Sequence, residues 1–310
     1  MKDGLTKHAL VIGYGSIGSR HARVLTELGR DVSLVTSQTV ENYLSYTSIE
    51  KALSNHFVEQ IIIANSTHLH YETLKKILAF DFKGTILVEK PLFSRVEQLE
   101  SDNKNIYISY NLRFHALIQE LKILLQKDEL VSFSAQVGSY LPEWRKKTDY
   151  RNCYSAKKEC GGGVLRDLSH ELDYILWLCG QCVEVTAMGG HYSILEINSD
   201  DVYSILMRCE HCPIVNLQLD YLSRTPTRKI TIHTKKHNTI SVDLIQGDLY
   251  LNGNLKLHIQ DAVNKSYMTQ HKLMLQKDFQ HFCDYEQGLA VMHLIEAIEI
   301  ASLEKKWITL

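Results

Sequence analysis

The sequence predicts an α/β domain with a parallel sheet covered on both faces, followed by an α+β domain whose strands run antiparallel. Three observations carry that expectation. Unbroken Val/Ile/Leu runs alternate with amphipathic helical patterns over the first third of the chain. Three glycines in G-x-G-x-x-G spacing follow the first run and open a helix. After about residue 113 the rhythm changes to successive strands joined by turns, with helices at the end.

The elements follow in order. "HALVIG" reads as a strand, "SIGSRHARVLTELG" as a helix closed by Gly29, and "DVSLVT" as a second strand. "VEQIIIAN" is a third apolar run, followed by the helix "HLHYETLKKILAF" and the strands "GTILVEKP" and "NIYISYN". In the second part, "FHALIQELKILLQK" is helical and "ELVSFSAQVGSY" is a strand. A polar, aromatic loop runs from Leu141 to Cys160, and "GGGVLRDLSHELDY" opens a glycine-headed helix. "VEVTAMGGHY", "DVYSILMRC", "PIVNLQLDYL" and "RKITIHTKK" are strands, and the chain closes with helices from Leu273. No internal repeat is visible.

Bulk properties exclude several classes. At 310 residues the chain has room for two domains of about 150 residues each. A net charge of −2 gives no electrostatic reason to expect nucleic acid or an anionic membrane. Only 4 prolines and no long polar run argue against disorder. The first residues lack the cationic start, apolar run and cleavage site of a signal peptide, and no stretch reaches the roughly 18 apolar residues of a membrane span. Cytoplasmic residence is the expectation. Seven dispersed cysteines do not resemble a secreted disulfide framework.

The glycine motif carries the first functional expectation. Gly13 permits a tight turn, Gly15 lets backbone approach a pyrophosphate, and Gly18 lets helix pack on strand. The helix N-terminus, with Ser16 and Ile17, then holds the phosphates. An acid about 20 residues on would bind the ribose of NAD. The second strand ends instead in Thr36 and Ser37. That removes the carboxylate that repels a 2′-phosphate but supplies no arginine to attract one. The cofactor is therefore NAD or NADP, with a lean toward NADP.

Three further segments make the pattern specific. "ILVEKPL" ends a strand with Glu89, Lys90 and Pro91; "ISYNLRFH" places Tyr110, Arg113 and His115 at the end of the next; "GGGVLRDLSHELDY" is the third. With "GYGSIGSRH" and "IIIANSTHLH", they resemble the Gfo/Idh/MocA oxidoreductases from end to end. The resemblance implies a Rossmann domain over residues 1–113 with a doubly wound parallel sheet. It also implies a substrate-binding and oligomerisation domain over 114–310, built on a large, mostly antiparallel sheet. The family oxidises or reduces sugars, inositols and sugar derivatives with NAD(P), and commonly forms dimers or tetramers, so a homodimer or homotetramer is expected. By the same resemblance Asn65, Ser66, His70, Glu89 and Lys90 join the cofactor site. Lys90, Asp167 and His170 become the catalytic candidates. In the commonest family form the acid and the histidine are four apart; here they are three apart, and Arg166 stands at the position four before His170.

Read from the residues alone, the helix after the glycines clusters Leu165, Leu168, Leu172 and Ile175 on one side. His170 lies nearly opposite, with Asp173, Arg166 and Tyr174 around it and Asp167 at the edge. That polar face is expected to line solvent or a cleft. Oxidising a secondary alcohol needs hydride transfer to the nicotinamide and removal of the hydroxyl proton. His170 titrates in the right range to take that proton. Lys90 sits at the carboxyl end of a strand, where such sheets bind ligands, and is suited to stabilise charge on the reacting oxygen. The reverse assignment, with Lys90 as proton acceptor, satisfies the same chemistry. Asp167 would orient His170. Arg113, His115, Tyr110 and Tyr174 are candidates for substrate contact. In the long loop, Arg145, Tyr150 and Arg151 are expected to clamp a carboxylate or phosphate, pointing to a small-molecule sugar that is acidic or nucleotide-linked. A nicotinamide-binding sensor or scaffold without turnover is the competing class.

Two C-x-x-C units remain, Cys179/Cys182 and Cys209/Cys212. The strands between them read as an antiparallel pair that brings both units to one end of a sheet. Zinc and reduced, buried thiols are the two readings of such a pair; no metal site is assigned.

Overall fold

The structure, a computed structural model, describes residues 8–55, 57–99, 104–145, 148–260 and 262–310. It divides into two compact units, Met1–Asn111 with Tyr267–Gly288, and Leu112–Ser266 with Leu289–Leu310.

The first unit opens with β1 (His8–Ile12), α1 (Ser16–Glu27), β2 (Asp31–Val35), β3 (Leu44–Tyr46) and α2 (Ile49–Asn55). It continues with β4 (Val58–Ile63), α3 (His70–Ala79), β5 (Thr85–Val88) and β6 (Ile106–Ile108). These six strands run parallel in the order β6-β5-β4-β1-β2-β3. The chain winds outward from β1 in one direction and from β4 in the other, so the strand order reverses between those two, the place where doubly wound sheets bind ligands. Every residue of β1 is buried, as is the run Ile61–Ile63 of β4. Burial on both faces is why these strands read as continuous apolar runs. The short edge elements β3 and α2 carry weak patterns and escape a sequence reading.

The second unit contributes α4 (Ala116–Leu125), β7 (Leu130–Gly138), α5 (Val164–Asp167), α6 (His170–Cys179) and β8 (Cys182–Gly190). Then come β9 (Val202–Cys209), β10 (Cys212–Asp220), β11 (Thr227–Thr234), β12 (Thr239–Asp243), β13 (Asp248–Leu251) and β14 (Asn254–His258). The chain ends with α7 (Ala262–Gln276), β15 (Cys283–Asp284), α8 (Tyr285–Glu304) and β16 (Ile308–Thr309). Nine strands form one sheet in the order β14-β13-β12-β11-β7-β10-β9-β8-β16. All neighbours are antiparallel except β7 and β10. Along β9, Tyr203, Ile205, Met207 and Cys209 are buried while Ser204, Leu206 and Arg208 are exposed, so this sheet covers one face only.

A single division after residue 113 does not describe this chain, because residues 267–288 return to the first unit. There β15 adds an antiparallel edge strand to β6, Phe279 stacks on Tyr107 at 4.4 Å, and Gly288 packs against Ile108. β15 has two residues, too short to carry a pattern of its own. Among the described residues no helix is long and apolar enough to cross a membrane.

Candidate active site

In the first unit the candidate residues gather at the carboxyl ends of the parallel strands. Gly13 follows β1 with φ +93°, and its N–H donates to Val35 O at 2.9 Å. A Cβ at Gly13 would stand 2.6 Å from the Asn65 nitrogen, and one at Gly18 would collide with the Gly13 carbonyl. Gly15 differs from both, since a Cβ there would meet nothing within 4 Å. Gly15 and Ser16 are exposed at the start of α1, Ile17 is half-buried, and the first turn of the helix carries no side-chain cap and no acid. Uncapped N–H groups beside open space suit an anion such as a pyrophosphate. The residues present therefore fit a dinucleotide.

The next strand ends extend the same rim. Thr36 N–H donates to Tyr46 O at 3.0 Å, its hydroxyl accepts from Gln38 N at 3.1 Å, and Ser37 is exposed. After β4, Asn65 donates to Thr73 Oγ1 at 2.8 Å, leaving its buried Oδ1 without a partner among the described residues; Ser66 is exposed beside it. His70, by contrast, is 1% exposed. Its ring reaches the carbonyls of Asn65 (3.1 Å), Pro91 (3.1 Å) and Leu92 (3.2 Å), and burial pushes its pKa down. It pins the loop after β5 to the loop after β4, which makes it a scaffold for the rim.

Lys90 follows β5 and is half-buried. The preceding residue explains how it is presented. Glu89 is buried, its Oε2 accepts the Lys90 N–H at 3.2 Å, and its Oε1 lies 2.7 Å from His21 Nε2. His21 Nδ1 in turn lies 2.6 Å from His271 Nε2, on the returning helix α7. Burial raises the Glu89 pKa, but the His21 hydrogen bond and the Lys90 charge outweigh it and hold the carboxyl below its ordinary value. His271 is driven well down by burial and by His21. This carboxylate–imidazole–imidazole chain fixes the backbone on which Lys90 stands. The sequence reading missed it. One signal existed, since Gly18, His21, Ala22 and Leu25 fall at helical spacing on the buried stripe of α1. Tyr110, just beyond β6, is 1% exposed and belongs to the core.

In the second unit the segment after the glycines departs from its expected form. It is two helices, α5 and α6, broken at Leu168–Ser169, so Asp167 ends one helix and His170 opens the next. Their common helical face is therefore absent. The polar side does not line solvent either, because every residue from Val164 to Leu176 is buried, His170 among them at 9% exposed. The charges are paired inside instead. Asp173 receives Arg113 through both oxygens, at 2.7–3.1 Å. Glu171 meets Arg228 at 2.8 Å and Arg166 meets Glu299 at 2.6 Å. Asp167 accepts from Tyr221 at 2.6 Å and lies near Tyr154, and both phenols are pushed up by burial and by that carboxylate. None of these partners is close in sequence, so no local pattern announces them.

The glycines themselves serve this packing. A Cβ at Gly162 would collide with the Tyr154 carbonyl, and Gly163, with φ +118°, abuts the Asp200 carboxyl. Asp200 accepts the Leu165 N–H at 3.1 Å, capping α5 from a distant loop, and burial lifts its pKa to about 6.

The remaining candidates have defined places. Arg113 is 2% exposed and held by Asp173. His115 caps α4, its Nδ1 accepting the Leu117 N–H at 3.2 Å, and burial with the nearby Arg228 lowers its pKa to about 4. Tyr174 is packed in the core near Phe133. The expected clamp in the long loop is divided. Arg151 is ion-paired to Asp149 (2.7 Å) and Glu196 (2.8 Å), and the Tyr150 hydroxyl accepts the Glu196 N–H. Arg145 is exposed and lies over the Tyr154 ring at 5.3 Å.

Comparisons with known proteins agree with both units. The family described as "Oxidoreductase family, NAD-binding Rossmann fold" matches residues 7–104, and the GFO/IDH/MocA C-terminal domain matches residues 119–238. A curated relative, inositol 2-dehydrogenase 1 of Paenarthrobacter aurescens (strain TC1), is 31% identical over 145 residues, which is 40% of this chain and 42% of that protein's length. An oxidoreductase from Thermotoga maritima superposes with a TM-score of 0.79 at 21% identity, covering 98% of each chain. The WlbA dehydrogenase of Bordetella pertussis, solved with NADH and UDP-GlcNAcA, gives 0.77 at 17% identity, covering 99% of this chain and 98% of that one. The two structural likenesses show the fold. The two family matches, one falling on each unit and together taking in the glycine loop, Glu89-Lys90-Pro91 and the Asp167/His170 segment, show that the chain belongs to the Gfo/Idh/MocA oxidoreductase family.

Proposed function

We propose that the chain is an NAD(P)-dependent dehydrogenase or reductase acting on a secondary alcohol or ketone of a sugar derivative, and that the sugar is acidic or nucleotide-linked. The observation that carries the redox reading is the rim of the first unit, where open space at Gly15 and the uncapped start of α1 lie on the same sheet end as the braced Glu89-Lys90 loop. When bound, the nicotinamide supplies the hydride acceptor or donor. Lys90 donates a hydrogen bond to the reacting oxygen and stabilises its negative charge. His170 takes the hydroxyl proton in the oxidative direction. Asp167, held by Tyr221, places its carboxyl group at the end of α5. Two things support the acidic substrate: the exposed Arg145 guanidinium in the aromatic loop, and the UDP-GlcNAcA in the Bordetella structure. Thr36 and Ser37 at the end of β2 leave room for either NAD or NADP, with the lean toward NADP.

The test is fluorescence titration with NADH and NADPH, followed by turnover assays on a panel of inositols, free sugars, uronic acids and nucleotide sugars. Turnover that is lost in Lys90→Ala and His170→Ala, with cofactor binding retained, is the expected outcome. Cofactor binding with no turnover across the panel would refute the reading and favour a sensor or scaffold on the same fold.

A further inference from the structure

The two C-x-x-C units are used by no step of the proposed reaction, yet the second unit builds them into one cluster. Cys179 ends α6, Cys182 opens β8, Cys209 ends β9 and Cys212 opens β10. All four are buried and none is disulfide-bonded. The two turns dock on each other through the backbone. His211 N–H donates to Cys179 O at 2.8 Å, Glu210 N–H donates to Gln181 O at 3.0 Å, and Gln181 N–H donates to the Glu210 carboxylate at 2.9 Å.

Register then sets the thiols opposite one another. Cys182 stands directly across from Cys209 on adjacent antiparallel strands, and Cys212 stands across from Cys209 on its other side. Directly opposed residues have Cα separations of about 4.5–5.5 Å, inside the range of about 4.4–6.8 Å that a disulfide spans. The side chains select the partners. Each thiol is perturbed most by one neighbour, Cys182 by Cys209 and Cys179 by Cys212, while the Cys182 and Cys212 thiols donate to the carbonyls of Glu184 (3.5 Å) and Ile214 (3.4 Å). Among the described residues no group of three or more Cys, His, Asp or Glu side chains is arranged to hold a metal ion. The thiols meet in twos.

We propose that these four cysteines are a thiol-oxidation site of this protein, which closes under peroxide into two disulfides, Cys182–Cys209 and Cys179–Cys212. Cys182 is the point of entry, because it borders an open groove of about 520 Å³ together with Leu176, Gln181 and Leu310. Beside Cys209 the Cys182 pKa falls below that of an ordinary thiol, while Cys182 and burial push the Cys209 pKa up. The Cys182 thiolate attacks one peroxide oxygen, the O–O bond breaks and hydroxide leaves, giving a sulfenic acid. The Cys209 sulfur then displaces that oxygen as water and the S–S bond forms. Each bridge loses two protons and two electrons, consumes one peroxide and releases two waters. The Cys179–Cys212 pair closes by the same chemistry. The result ties the end of α6, the helix that His170 opens, to the three-strand block β8-β9-β10.

The experiment treats the purified full-length chain with hydrogen peroxide, alkylates free thiols, and reads intact mass and non-reducing peptide maps. The expected result is loss of four hydrogens, bridged peptides joining Cys182 to Cys209 and Cys179 to Cys212, and full reversal by dithiothreitol. Cys153, Cys160 and Cys283 should stay alkylated. Bridges within each C-x-x-C unit, or alkylation of all seven cysteines after peroxide, would overturn the proposal. So would one equivalent of zinc in the untreated protein by elemental analysis, protecting the four thiols. A Cys182→Ser chain that folds normally should keep only the Cys179–Cys212 bridge. Should that variant not fold, the wild-type peptide map decides alone.

Discussion

Removing the Asp173 carboxylate is the sharpest test of how the second unit is built. Arg113 and Asp173 are 2% and 1% exposed, and the guanidinium meets both carboxylate oxygens through Nε at 3.0 and 3.1 Å and through Nη2 at 2.7 Å. Asp173→Ala removes that carboxylate from a guanidinium buried beside Trp177, whose ring centre is 5.3 Å away. Breaking a buried pair from one side costs about 3–5 kcal/mol, because the remaining charge is stranded away from water. With a urea slope of about 2–3 kcal/mol per molar, the midpoint should fall by about 1–2.5 M. Urea titration followed by circular dichroism and tryptophan fluorescence reads that shift. The paired change Arg113→Met with Asp173→Leu removes both charges and should recover most of the loss. A midpoint shift below about 0.3 M in Asp173→Ala, with a raised KM for the sugar, would refute the reasoning and return Arg113 to the substrate.

The glycine loop separates packing from ligand contact. Gly18→Ala should lower the melting temperature because its Cβ collides with the Gly13 carbonyl, whereas Gly15→Ala should leave stability within about 0.5 kcal/mol and weaken NADH binding in a fluorescence titration. Glu89→Gln removes the charged partner of His21 and should cost about 1.5–3 kcal/mol in chemical denaturation, with a fall in kcat that exceeds any change in cofactor affinity. His115 adds a pH dependence. Its folded pKa of about 4 lies below its ordinary 6.5, so the unfolded chain binds a proton between those values that the folded chain does not. This contribution is present in full above pH 6.5 and is lost as pH falls toward 4, about 3 kcal/mol in total. Asp200, raised to about 6, acts in the opposite sense as pH falls through the same window. The difference in stability between wild type and His115→Asn, measured at pH 4.5 and 7.5, should isolate the histidine, and an unchanged difference would contradict its burial as a neutral cap.

The site was legible to different depths in the two units, for reasons visible in single residues. Gly13, Gly15 and Gly18 were readable because a turn, a phosphate approach and a helix–strand contact each impose a residue type at a fixed spacing. Lys90 was readable because it stands beside a proline at a strand end, and the family pattern marks it. Asp167 and His170 stood out as residue types, and their structural setting was misread. A helical projection assumes one unbroken helix with a wet face, and the break at Leu168–Ser169 violates the first assumption while burial violates the second. Arg113, Tyr174 and Arg151 are polar or aromatic groups near the right segments. Their partners, Asp173, Phe133, Asp149 and Glu196, show that packing and ion pairing already engage them.

By itself the sequence determined the parallel sheet of the first unit, the glycine loop, the antiparallel character of the second sheet and the identity of the family. The sheets and the loop rest on periodicity and spacing, which are local and repeat along the chain, and the family rests on the resemblance of its motifs. Only the tertiary structure decided that residues 267–288 return to the first unit, that His271 reaches His21 behind the lysine loop, and that Glu171, Asp173 and Arg166 are buried with Arg228, Arg113 and Glu299. It also set Cys182 across from Cys209 on adjacent strands. A buried charge or thiol takes its partner from whatever the fold brings within about 3–4 Å, and at separations of tens to hundreds of residues that choice leaves no periodic trace in the chain.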